Sequence, residues 1–222
     1  MALPQFKSLP LIAPATPNLP LAPDSAQERQ YLDQLNNVLR LYFNQLNNFL
    51  QPFGTNTGGA NLQFPYGAFS SGVDQTTTAN TATLMTLNTT DFSNGGVTIS
   101  SSKITTTIAG TYNLQFSAQF QNTDNQIQDI SIWLRQNGVD IPGSTGLVSI
   151  PARKSASAGE EAHQITGWNY YVQLQADDYI EIYWSTTNAA VTIQYYPAST
   201  GPVRPATQSV VATLSFVSAL FP

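Results

Sequence analysis

Cysteine is absent from this 222-residue chain, and charge is scarce: 8 Lys or Arg and 13 Asp or Glu, 9% of the residues. An ordinary soluble domain carries roughly 25%. Without thiols there are no disulfides, no thiolate metal sites and no cysteine nucleophile. The single histidine, His163, cannot furnish a His-rich metal centre, and a Ser-His-Asp triad could use no other. The few cations form no run, whereas a phosphate backbone demands clustered positive charge, so nucleic-acid binding is not expected. No stretch reaches the ~18 apolar residues of a membrane span, and the opening Met-Ala-Leu-Pro-Gln-Phe-Lys lacks the apolar run of a standard signal. Neither membrane insertion nor conventional secretion is expected, and most enzyme chemistry has lost its usual residues.

What replaces charge is uncharged polarity: 19 Ser, 25 Thr, 17 Asn and 19 Gln, more than a third of the chain. Apolar residues still make up 41%, with 3 Trp, 10 Tyr and 11 Phe, enough for a real core.

Residues 1–23 carry prolines at 4, 10, 14, 17, 20 and 23. Each fixes φ and disfavours helix in the residue before it, so the segment reads as extended chain. Spaced along it are Leu3, Phe6, Leu9, Leu11, Ile12, Leu19 and Leu21. An extended rod cannot bury these against itself, which marks it as a docking arm that needs a surface from another chain or from the domain behind it.

Residues 24–52 read as the one helix. Ser25 and Glu28 form a capping-box pattern after Pro23, and Pro52 with Gly54 ends it. Leu32, Leu35, Leu39, Tyr42, Leu46 and Phe49 recur at alternating steps of 3 and 4, a heptad a/d seam of three repeats. Val38, Leu41, Phe43 and Leu50 widen the apolar face beyond a two-stranded seam, and Asn and Gln flank it in place of Glu/Lys pairs. Such a face suits three helices together, or one helix capping its own domain. Three heptads are marginal alone, so a bundle would need support from the following domain.

Residues 53–65 read as a linker. From 66 to 222 the texture is short β-branched and aromatic runs between Gly, Asn, Asp and Ser clusters. Candidate strands are 67–71, 83–88, 97–99, 104–107, 111–121, 128–136, 147–150, 165–175, 179–186, 190–195 and 208–219. Ile130, Ile132 and Leu134 alternate with polar neighbours, as do Ile180, Ile182 and Trp184; Asn137-Gly138 and Asp177-Asp178 mark tight turns. Many strands with no helices between them predict a mostly β, antiparallel sandwich or barrel.

Five segments in order resemble the C1q/TNF-like jelly-roll family: Gly67-Ala-Phe-Ser-Ser, Ile108-Ala-Gly-Thr-Tyr-Asn-Leu-Gln-Phe, Ser131-Ile-Trp-Leu-Arg-Gln-Asn-Gly, Tyr171-Val-Gln-Leu-Gln-Ala-Asp-Asp-Tyr-Ile-Glu-Ile and Ser209-Val-Val-Ala-Thr-Leu-Ser-Phe. Ala176 stands where that family usually has Gly. The resemblance spans about residues 66–220 and implies a jelly-roll sandwich that forms tight homotrimers, with the closing strand and the strand from Ile108 near the three-fold axis. The heptad helix then becomes a trimer stalk. The cationic and cysteine features of some animal members are missing, so immune or cytokine function does not carry over. The arrangement of Pro-rich start, heptad helix and Asn/Gln/Thr-rich sandwich resembles virion structural proteins of tailed phages, marine and cyanobacterial ones in particular. It implies a virion-surface location after assembly in host cytoplasm.

Three functional readings follow. The first is a homotrimeric capsid decoration (cement or head-fibre) protein whose arm docks on the major capsid protein; a short tail fibre on a tail adaptor is the alternative placement. The second is a receptor- or glycan-binding module, since aromatics stack on sugar faces. Trp133, Trp168, Tyr170, Tyr171, Tyr195 and Tyr196 are its candidates, and Trp168-Asn-Tyr-Tyr is the one cluster with aromatics on both faces. The third, a glycan-cleaving enzyme, would need a carboxylate pair at fixed separation. Glu160-Glu161, Asp177-Asp178 and Asp124 with Asp129 read instead as loop and turn formers, as does His163. No cofactor, metal or catalytic residue is expected.

Overall fold

The computed structural model describes residues 15, 17–19, 28–51, 64–155, 157 and 160–220. The chain divides into two compact units, Met1–Gln63 and Phe64–Pro222. In the first, the described secondary structure is one helix, α1 (Glu28–Leu50), with the acidic Glu28 in its first turn, where the helix dipole favours negative charge. The expected N-cap Ser25 and most of the linker lie outside the described residues, as do Leu3, Phe6, Leu9, Leu11, Ile12 and Leu21 of the arm.

The second unit is mostly β and antiparallel. Its strands begin with β1 (Tyr66–Ser71), β2 (Thr83–Leu84), β3 (Thr89–Asn94), β4 (Val97–Ser100) and β5 (Lys103–Thr106). Then come β6 (Gly110–Asn122), β7 (Gln128–Gln136), β8 (Val139–Asp140), β9 (Gly146–Ile150) and β10 (Ala162–Leu174). β11 (Tyr179–Thr186), β12 (Val191–Ile193), β13 (Ser199–Thr200), β14 (Val203–Arg204) and β15 (Val210–Ser218) complete the chain. One large sheet runs β10-β6-β15-β1-β3, with β12 also on β6; a second runs β4-β5-β11-β7-β8, with β2 on β11 and β9 on β7; β13 and β14 pair as a separate two-stranded sheet.

Alternation explains the layering. In β6 every second residue from Gly110 to Asn122 is buried, and β7 and β11 turn Ile130, Ile132, Leu134, Ile180, Ile182 and Trp184 inward. The two sheets share one core, in which Phe69, Tyr112, Leu114, Phe120 and Trp184 are fully buried. Phe120 meets Trp184 edge-to-face at 5.7 Å between ring centres. Burying a side chain of this size contributes roughly 1.5–3 kcal/mol, and these rings come one from each sheet.

Turn chemistry sets several joints. Asn137 and Gly138 both take positive φ (52° and 79°) in the two-residue hairpin between β7 and β8, the conformation that Asn-Gly adopts most readily. Ser101 and Ser102 do the same (50° and 63°) between β4 and β5. Nothing in their side chains prefers that region, but Ser102 Oγ accepts from the Leu87 amide at 3.0 Å, which anchors the turn. Gly110 is required for another reason: a Cβ there would lie 2.4 Å from the Phe216 ring, which in turn packs edge-on against Tyr112 at 5.5 Å.

Some expectations differ from what is found. Thr89–Asn94 forms edge strand β3 on β1 although its residues are almost all exposed, so it carries no apolar alternation to read. The run 83–88 forms only the two-residue β2. His163, expected in a loop, lies in β10 opposite Gln121, because the pairing with β6 begins at Ala162, three residues before the expected strand.

Candidate functional site

Four surface regions contain residues that the sequence singled out. The first is α1. Its seam residues Leu35, Leu39, Tyr42, Leu46 and Phe49 are half-buried, and Leu32 is 48% exposed. No residue of the helix is buried, and Leu41, Phe43 and Leu50 stand exposed beside the seam. Of the arm's apolar residues only Leu19 is described, and it is 53% exposed.

The second region is the outer face of the sheet centred on β6. Strands β6, β10 and β15 together hold no Asp, Glu, Lys or Arg. Their outward residues are short and polar on β6 (Thr111, Asn113, Gln115, Ser117), with Val211 and Val217 exposed on β15 and Ile165 and Tyr171 on β10. Gly167 opens a shallow groove of about 600 Å³ between Ile165, Asn169, Gln115 and Ser117. A Cβ at Gly167 would lie 2.1 Å from the Phe116 carbonyl oxygen, so the β6–β10 pairing itself excludes a larger residue.

Register separates the expected glycan cluster. Trp168 and Tyr170 point inward with Thr166 and Val172; Trp168 packs edge-on against Phe116 at 4.8 Å, and both it and Tyr170 lie against the core. Tyr171 alone faces outward, 59% exposed. The three rings therefore occupy opposite faces of one strand and do not form a single platform.

The third region lies at the other end of the same outer face. His163 on β10 and Gln119 on β6 are diagonal neighbours, since His163 pairs with Gln121 and Ile165 with Gln119. Tyr196, bridged to Thr207 through backbone hydrogen bonds of 3.1 and 2.8 Å, sets its hydroxyl 3.0 Å from His163 Nδ1. Arg204, on the β13–β14 hairpin, holds its guanidinium 5.4 Å from the Tyr196 ring centre and donates to the Pro197 carbonyl at 2.9 Å. Between Gln119, His163, Tyr196, Arg204 and Thr207 lies a cavity of about 270 Å³. Burial, then the nearby Glu161 and Asp74 carboxylates, push the Tyr196 phenol up to about 12.

On the other sheet's outer face the sequence named Trp133 but not its companions. Its indole donates to Asp140 at 2.7 Å, Arg135 Nε meets the same carboxylate at 2.5 Å, and the guanidinium lies 3.8 Å from the Tyr183 ring centre. The β7–β11 register aligns Trp133 with Tyr183. Residue parity along β7 and β11 was the signal that could have joined them. Hydrogen bonds from Arg135 and then Trp133 hold the Asp140 carboxyl below the ordinary range.

Of the acidic residues considered for catalysis, Asp178, Asp124 and Asp129 are engaged in hydrogen bonds. Burial works to raise the Asp178 carboxyl, yet hydrogen bonds from Asn137, the Gln175 amide and Gln136 leave it below its usual value. Asp124 accepts from Gln128 and Asn188, and Asp129 from Ser149. Among the described residues no group of three or more His, Asp or Glu is placed to hold a metal ion, and no helix is long and apolar enough to cross a membrane.

Among the described residues, these features define an antiparallel β-sandwich and, in a separate unit, one amphipathic helix. Against known proteins, the chain matches no family model and none of the curated sequences.

Proposed function

We propose that this chain is a non-enzymatic virion structural protein. It is a homotrimer of jelly-roll domains that decorates a tailed-phage capsid and docks through its N-terminal arm on the major capsid protein. The observation that carries the reading is α1, a 23-residue helix with a heptad seam and no buried residue. An apolar stripe of that kind is stable only when something covers it, and three copies of the same stripe cover one another.

Two further features support it. Taking β1, β5, β6, β7, β9, β10, β11 and β15 as strands one to eight, the sheet orders become 1-8-3-6 and 2-7-4-5, the arrangement of two Greek keys wrapped into a jelly roll. The charge-free outer face of β6 and β15 supports a subunit contact, because burying it leaves no ion without water. The arm's apolar residues, set between prolines, suit a clamp lying over neighbouring shell subunits, which favours decoration over a short tail fibre.

Three experiments test this. Light scattering on purified protein at low concentration should give three chains per particle, and a stable single-copy species would refute it. Chain copies per purified virion should number in the hundreds; a few per virion would place the protein in the tail. Deleting residues 1–23 should leave a trimer that no longer binds particles.

A further inference from the structure

The cavity at the rim of the β6 sheet has the make-up of a small-ligand site: concave, with one aromatic wall and a few convergent polar groups. We propose that the cavity between Gln119, His163, Tyr196, Arg204 and Thr207 binds one neutral pyranose residue, such as the terminal sugar of a surface glycan. This site is separate from Trp168, Tyr170 and Tyr171, and it does not depend on where the protein sits on a particle.

Size is the first argument. At about 270 Å³ the cavity falls just below the roughly 300 Å³ at which pockets begin to hold drug-sized molecules, which leaves room for a single ring. Chemistry is the second. The Gln119 carboxamide and the Thr207 hydroxyl make no hydrogen bond among the described residues, and His163 uses Nδ1 on Tyr196 while Nε2 remains for a ligand. An amide, a hydroxyl and an imidazole donate and accept in the way that sugar hydroxyls require, while the Tyr196 ring supplies an apolar wall.

Charge decides between neutral and acidic sugars. Arg204 Nη1 is committed to the carbonyls of Pro197 and Pro205, at 2.9 and 3.4 Å, so the cation serves to pin the β13–β14 hairpin beside the cavity. Arg204, 5.4 Å from the ring centre, lowers the Tyr196 phenol, but Glu161 and Asp74 each raise it by more, so the balance of charge felt at the phenol is negative. A carboxylated sugar would enter against that field, and a neutral one would not.

The experiment is saturation-transfer NMR on the full chain. The probes are the methyl pyranosides of glucose, galactose, mannose and N-acetylglucosamine, with methyl glucuronoside as the acidic counterpart. At least one neutral pyranoside should bind saturably and more tightly than the glucuronoside. Gln119→Ala should weaken it about tenfold, the size of one neutral hydrogen bond, with melting temperature and oligomeric state unchanged. Tyr196→Ala should weaken it at least as much; if that variant misfolds, Gln119→Ala still decides. Binding by none of the neutral probes, preference for the glucuronoside, or unchanged affinity in Gln119→Ala would each overturn the assignment.

Discussion

Replacing Leu39 tests the seam most directly. Leu39 lies at the middle of α1 and is already half-buried within one chain. Fully burying a leucine side chain is worth roughly 1.5–3 kcal/mol, so a trimer contact that covers the remaining half adds about 1 kcal/mol per chain. A three-fold seam counts that loss three times. Leu39→Ala should therefore weaken association by about 3 kcal/mol per trimer, some two decades in the equilibrium constant. Leu39→Asp adds three carboxylates facing one another in an apolar seam, each costing several kcal/mol unless it is protonated or exposed. Sedimentation equilibrium from micromolar to nanomolar chain should show wild type dissociating last, Ala earlier and Asp earliest. Asn44→Asp, exposed and two residues beyond Tyr42, is the control, carrying the same charge with no effect. Equal dissociation curves for Leu39→Asp and Asn44→Asp would show that the seam is not the contact, whatever the oligomeric state.

Other substitutions probe the sandwich. Gly167→Ala forces a methyl to within 2.1 Å of the Phe116 carbonyl and should destabilise by about 3 kcal/mol, the upper end for overpacking, read as a shifted urea midpoint. Asn122→Ala should cost roughly 3 kcal/mol by the same measure. The buried amide donates to the Gln126 and Pro151 carbonyls at 2.9 Å and accepts from the Asp124 amide at 2.8 Å, and these groups would lose their partners. Alkaline pH should unfold the protein in a defined direction. Burial raises Tyr112, outweighing its hydrogen bond with Thr106, and Tyr196 is pushed up to about 12, so both stay protonated in the folded chain after unfolded tyrosines ionise at 10.0. The unfolded state then binds fewer protons, so this contribution is intact below pH 10 and lost as pH rises through the folded values. Tyr112→Phe should show a shallower loss of denaturant midpoint above pH 10 than wild type, and equal slopes would refute the reasoning.

Much of this molecule is written in local order. The alternation of Ile130 to Leu134 and of Ile180 to Trp184 declares strands and their buried faces, because successive side chains of a strand point to opposite sides. Asn137-Gly138 declares its hairpin through the positive φ that those residues accept at little cost. The steps of 3 and 4 from Leu32 to Phe49 declare the helix and its apolar stripe. Parity along β10 would also have told Tyr171 from Trp168 and Tyr170, had the buried Val172 and Leu174 been used to assign the faces.

Pairing across distance is not local, and there the sequence is silent. Edge strand β3 owes its existence to the free side of β1 and to no pattern of its own. His163 and Tyr196, 33 residues apart, meet because β10 pairs with β6 while the chain after β12 folds back across the end of that sheet. Trp133 joins Tyr183, Arg135 and Asp140 through the β7–β11 and β7–β8 registers. Composition, periodicity and turn residues act within a few positions of themselves, so they determined the elements, the faces that must be covered and the near absence of charge. Which strands lie side by side, and therefore which polar groups converge on a cavity, was decided only when two sheets closed over one core.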